Sequence, residues 1–154
     1  MVNPGFFSYW LPPLLWCALV LLFSGDWGSS WHTLGWLGWL LSRISSLNPA
    51  QINMIHYYCR KSAHVLAYGI LYVLWFRAFQ GHLCYRIRYA ALCALGLSLL
   101  VALTDEGHQT MVSSRSGSLY DVALDVSAAL LVAGLTAIWW RLRVKLNHGR
   151  QITP

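Results

Sequence analysis

Charge is what this sequence has least of: 10% of its 154 residues are Asp, Glu, Lys or Arg, against roughly a quarter in a soluble domain. That shortage, with a mean hydropathy of +0.49, excludes an ordinary water-soluble globule. Acids are scarcer still, numbering five: Asp26, Asp105, Glu106, Asp121 and Asp125. The four cysteines, Cys17, Cys59, Cys84 and Cys93, contain no CxxC and suggest no framework, so no structural disulfide is expected. No internal repeat or low-complexity linker interrupts the chain, and 1–154 reads as one domain ending in a polar, frayed tail over 147–154. Eleven Lys and Arg leave a formal charge of +6. On so apolar a chain that excess is a topology signal, and no nucleic-acid partner is expected.

What is abundant is apolar sequence in runs of spanning length. Residues 6–23, 63–79, 89–106 and 122–140 each approach the roughly 20 residues that a bilayer crossing needs. Pro12 and Pro13 lie near the start of the first run, where a proline costs least. That run has no Lys or Arg before it, and Ser24-Gly25-Asp26 is a poor cleavage site, so it reads as a span and not as a signal peptide. Residues 31–47 are shorter and less apolar, with Leu34, Leu37, Leu41 and Ile44 at helical spacing and Trp27, Trp31, Trp36 and Trp39 clustered around them. This predicts an interfacial helix between the first and second spans, with a tilted or re-entrant element as the alternative. The expected fold is all-α, an integral membrane bundle of about four transmembrane helices.

Four spans place Arg43, Arg60, Lys61 and Arg115 on one side and Arg77, Arg86, Arg88, Arg141, Arg143, Lys145 and Arg150 on the other. The positive-inside rule then makes both termini cytoplasmic and turns the acid-rich end outward.

Three polar clusters fall at that outer end. Lys61, His64 and Tyr68 recur at i, i+3 and i+7 and share one helical face. Singly, Lys61 reads as a snorkelling anchor and Tyr68 as a belt aromatic, whereas His64 lies a turn further in. Asp105 and Glu106 directly follow an apolar run, with Gln109 on the face of Asp105. An ionised acid at mid-helix costs about 2.5–3.5 kcal/mol on insertion scales, so an adjacent pair needs facing cations unless this is a solvated helix end. The third cluster is the Ser- and Gly-rich turn 113–118 with Arg115, leading to Asp121 and Asp125. Arg115 offers a five-donor fork suited to carboxylate or phosphate. Asp121 suits a helix start, but Asp125 lies one turn deeper and calls for a partner such as Lys61, His64 or Arg115.

The combined pattern, Lys61-x-x-His64-x-x-x-Tyr68, Asp105-Glu106-x-x-Gln109, Arg115 and Asp121-x-x-x-Asp125, resembles the VanZ-like family of small bacterial membrane proteins, named for an accessory protein that raises tolerance to the glycopeptide teicoplanin. The resemblance runs from about residue 60 to 135. Three positions depart from it: Arg60 where the family usually has an acid, Asp125 where it has Asn, and Ala129 where it has Gly. It implies a multi-pass protein of the bacterial inner membrane connected with the cell envelope. Two readings stay open. In one, Lys61 and Arg115, with Gln109, Asp121, Asp125 and Tyr68 around them, bind a membrane lipid, glycolipid or lipid-linked cell-wall precursor, and Glu106, Asp105 and His64 act as acid and base on it. In the other, the same residues form a paired structural network of an accessory protein. A metal ion held by Asp105, Glu106, His64 and Asp121 has no compact ligand motif behind it, and no metal or cofactor is expected.

Overall fold

The computed structural model describes residues 4–44, 46–83, 86–115 and 117–150, with side chains as far as residue 143. Within these residues the chain is helical apart from short connections. Helix α1 is Pro4–Ser24, α2 Ser30–Ile44, α3 Pro49–Ala78, α4 Ile87–Met111 and α5 Leu119–Arg150. A single 3₁₀ turn, Asp26–Gly28, joins α1 to α2, and α3 continues through a π turn over Phe79–Leu83.

Four of these helices, α1, α3, α4 and α5, are long and apolar enough to cross a membrane. The chain is a multi-pass membrane protein. Its outer surface supports this: Leu15, Leu22, Leu66, Leu92, Leu100 and Leu131 are each about 60% exposed, a composition suited to lipid. Helix α2, at 15 residues, is about 22 Å long and falls short of the ~30 Å hydrocarbon core. It lies against the start of α3, where Thr33 Oγ1 and His56 Nε2 are 2.8 Å apart, and it exposes Trp31, Trp36 and Trp39.

The helix bounds differ from the sequence expectation in one place that matters. The second span, expected from residue 63, begins at Pro49. Asn48 and Gln51 close a reciprocal capping box and Pro49 occupies the first turn, which together start the helix well before its apolar run. Residues 49–62 therefore extend α3 beyond the apolar stretch and carry Arg60 and Lys61 on a rigid helix. At the far end, α5 continues to Arg150, so residues 147–150 of the expected polar tail are helical and 151–154 lie outside the described residues.

Helix α3 packs against α1, α2, α4 and α5. It supplies the large core side chains Tyr68, Leu71, Tyr72 and Trp75, whereas α4 and α5 meet it with Ala90, Ala94, Ser98, Ala102, Ala128 and Ala129. Small residues let helix backbones approach where lipid gives no hydrophobic drive to associate. The end of α1 meets α4 (Ser24 Oγ donates to the Asp105 carbonyl, 3.1 Å), while its start meets the end of α3 (the Phe6 and His82 rings, centroids 5.5 Å apart). The spans alternate in direction. The start of α1, the α3–α4 connection and the end of α5 lie at one end of the bundle, and the α4–α5 turn lies at the other.

Cys17, Cys59 and Cys93 are free thiols; Cys84 lies outside the described residues.

Candidate functional site

The α4–α5 end of the bundle gathers all nine candidate residues. Asp105 and Glu106 stand six and five residues before the end of α4 and Asp125 six residues after the start of α5, which sets them about 7–9 Å inside the helix ends. They are 3%, 4% and 0% exposed. A solvated helix end is excluded.

The i, i+3, i+7 face of α3 meets these acids residue by residue. Lys61 forms an ion pair with Asp121 and lies 5.6 and 5.8 Å from the Tyr57 and Tyr120 rings. One turn deeper, His64 Nδ1 is 3.2 and 3.3 Å from the two oxygens of Asp125. Deeper again, Tyr68, a residue only 1% exposed, donates its hydroxyl to Asp105 Oδ2 at 3.1 Å. Glu106 turns to the loop, where the Ser118 backbone N–H donates to its Oε2 at 2.7 Å. Asp105 Oδ1 and Glu106 Oε1 are buried with no hydrogen-bond partner. One ligand atom from each of His64, Asp105, Glu106 and Asp125 lies within 4.8 Å of the others. The grouping differs from the one weighed from sequence, because Asp125 takes the place of Asp121, which is held by Lys61.

Arg60, one of the departures from the family pattern, lies four residues before His64 on the same helical face. Its Nη1 donates to the Gly28 carbonyl at 2.7 Å, and Arg115 Nη2 donates to the Phe23 carbonyl at 2.6 Å. These two contacts cap the exposed C-terminal carbonyls of α1 and its following turn. Arg115 Nε is buried with no partner. Burial pulls the Arg115 pKa below its usual value, helped by Arg60 and opposed by Asp105, Glu106 and Asp26. Asp26 also reaches this end: Ser114 Oγ donates to its Oδ1 at 2.5 Å. His108 contacts Ser24 Oγ at 3.0 Å. No sequence spacing could have joined these last groups, since they are more than 80 residues apart.

Two cavities open here. One, of about 480 Å³, runs between α1 and α3 past Trp16, Leu19, Val20, Ala63, Leu66 and Ile70, and is almost wholly apolar. Trp16 Nε1 donates to the Ala67 carbonyl at 2.9 Å beside it. The other, of about 470 Å³, is polar and bounded by Ser30, His56, Lys61, Ser113, Ser114 and Asp121. Arg60, Gln109 and Arg115 line both, and His64 lines the apolar one.

A family model described as VanZ/LLP1 matches residues 9–140. The chain belongs to that family. No curated protein and no solved structure matches it significantly.

Proposed function

We propose that this protein binds the phosphate-bearing headgroup of an anionic membrane amphiphile, a lipid-linked cell-wall precursor or related envelope lipid, at the outer face of the bacterial inner membrane. The observation that carries the reading is the junction of the two cavities. A ligand with a long hydrocarbon chain and an anionic head suits an apolar groove and a polar chamber that share Arg60 and Arg115 in their linings. Arg60 and Arg115 supply charge-assisted donors to phosphate oxygens from the guanidinium N–H groups that the Gly28 and Phe23 carbonyls leave free, with Gln109 lining both cavities and Lys61 the polar one. The outward orientation follows from the basic residues that crowd the opposite end of the bundle. Engagement of a wall precursor there contributes to teicoplanin tolerance by altering the target that the glycopeptide meets.

A second reading, hydrolysis or transfer at the bound phosphate, draws on one further observation. His64 lines the groove while Asp125 orients its ring, and Asp105 and Glu106 adjoin it, an arrangement suited to acid–base work.

The test is retention of a polyprenyl-phosphate lipid by protein purified in nanodiscs, read by native mass spectrometry, with teicoplanin tolerance and membrane abundance followed in parallel. Arg115→Lys keeps the charge but loses the fork, and is expected to bind roughly 10-fold or more weakly, the equivalent of one charge-assisted hydrogen bond. Wild-type retention by a folded Arg115→Lys protein, with tolerance unchanged, refutes the headgroup site. Incubation with lipid-linked precursors separates binding from catalysis: product formed by wild type and equally by Glu106→Gln and His64→Ala removes the acid–base assignment.

A further inference from the structure

The innermost group of the site is poor in positive charge. Asp105, Glu106 and Asp125 bring three carboxylates together beneath the cavities, and among the described residues no Lys or Arg pairs with any of them. Lys61 is taken by Asp121, and Arg60 and Arg115 donate to the Gly28 and Phe23 carbonyls. The one cationic partner available inside the group is His64, through Asp125. Hydrogen bonds do not complete it either. Tyr68 and the Ser118 N–H satisfy one oxygen each of Asp105 and Glu106, and leave Asp105 Oδ1 and Glu106 Oε1 buried with nothing to accept from.

Like charges this close in a low-dielectric interior repel strongly, and a buried carboxylate oxygen without a partner is among the more expensive features a fold can carry. A packing network would be expected to close on itself. This one leaves two lone-pair sites open, and one ligand atom from each of four residues lies within 4.8 Å of the rest.

We propose that His64, Asp105, Glu106 and Asp125 form a binding site for one divalent cation. Two positive charges offset most of the three negative ones, and the cation takes up the two open oxygens that no side chain reaches. Three carboxylate oxygens are hard ligands that suit Mg²⁺, Ca²⁺ or Mn²⁺, while one imidazole nitrogen favours a first-row transition ion. Mn²⁺ accepts both, and Zn²⁺ is its competitor. Tyr68 and the Ser118 N–H then act from behind as hydrogen-bond donors that orient the Asp105 and Glu106 carboxylates, as outer partners of metal ligands commonly do. The site stands independently of the amphiphile reading, since nothing in it depends on what fills the cavities.

The experiment is a titration of EDTA-stripped full-length protein in nanodiscs with MnCl₂, read by isothermal calorimetry and by the electron paramagnetic resonance of free Mn²⁺, with ZnCl₂ and MgCl₂ as competitors and no added lipid phosphate. Wild type is expected to bind about one Mn²⁺ per chain and to melt at a higher temperature when saturated. Glu106→Gln and Asp125→Asn are expected to bind at least 10-fold more weakly and to lose the melting shift, whereas Asp26→Asn outside the group binds as wild type does. Asp125→Asn is isosteric and keeps an oxygen toward His64, so it tests the site even if a bolder change fails to fold. A folded wild type that takes up none of the three ions overturns the proposal, as does unchanged binding in both site variants. Either result leaves lipid retention to be judged by its own assay.

Discussion

Replacing Tyr68 by Phe removes one oxygen atom from the buried interior of the bundle. The ring keeps its place among α3, α4 and α5, so no cavity term enters. The loss is the hydrogen bond to Asp105 Oδ2, 3.1 Å long and between residues that are 1% and 3% exposed. Because Asp105 Oδ1 already lacks a partner, the variant leaves that carboxylate with neither oxygen satisfied within the protein. A hydrogen bond to a charged group is worth about 1.5–3 kcal/mol, and to a neutral one about 0.5–1.5 kcal/mol. For a chain of this size each kcal/mol moves the melting temperature by roughly 2–4 °C, so an ionised Asp105 predicts a fall of roughly 3–12 °C. The measurement is thermal unfolding in detergent followed by circular dichroism, with Tyr89→Phe on the exposed start of α4 as the reference, expected within about 0.5 kcal/mol of wild type. A Tyr68→Phe/Asp105→Asn double-mutant cycle isolates the pair. If Tyr68→Phe melts with wild type, or if the two changes are additive, the bond does not hold α3 to α4 and the account of the buried acids fails with it.

Other expectations follow from the same end of the molecule. A Cβ on Gly117 meets the Glu106 carbonyl and lies 2.5 Å from Thr110 Cγ2, so Gly117→Ala displaces the loop, breaks the Ser118–Glu106 contact and costs about 1–3 kcal/mol in the same melting assay. Gly107→Ala meets nothing within 4 Å and stabilises α4 by about 1 kcal/mol; a fall in its melting temperature contradicts the packing described. Met111 is 84% exposed at the site end, and Met111→Cys in a cysteine-free background is expected to react with a membrane-impermeant maleimide on intact cells. Labelling that needs permeabilised cells inverts the orientation.

Much of this architecture was legible in the chain. Runs such as 89–103 are apolar nearly all round because lipid is their solvent, and a helix in lipid must satisfy its backbone internally. Hydropathy therefore marks spans more sharply than it marks soluble helices. The face of Lys61, His64 and Tyr68 was equally plain, since helical spacing depends on no other part of the fold. The start of α3 was not, because the Asn48 and Gln51 capping box is set in polar sequence that a search for apolar runs passes over.

Pairing across helices is where sequence stopped. It offered Lys61, His64 or Arg115 as partners for Asp125, and only the crossing of α3 with α5 chose His64 and gave Lys61 to Asp121. It read Arg115 as a free anion-binding fork, and the fold placed one of its nitrogens on the Phe23 carbonyl, 92 residues away, leaving another buried and open. What the sequence determined alone is that this is a membrane bundle with nearly all its acids at one end, because the cost of burying charge in lipid is local and can be read residue by residue. Which acid meets which base, and which oxygens are left open, depended on how the helices approach one another through Ala90, Ala94, Ala128 and Ala129. Contacts of that kind are long-range, and no spacing along the chain encodes them.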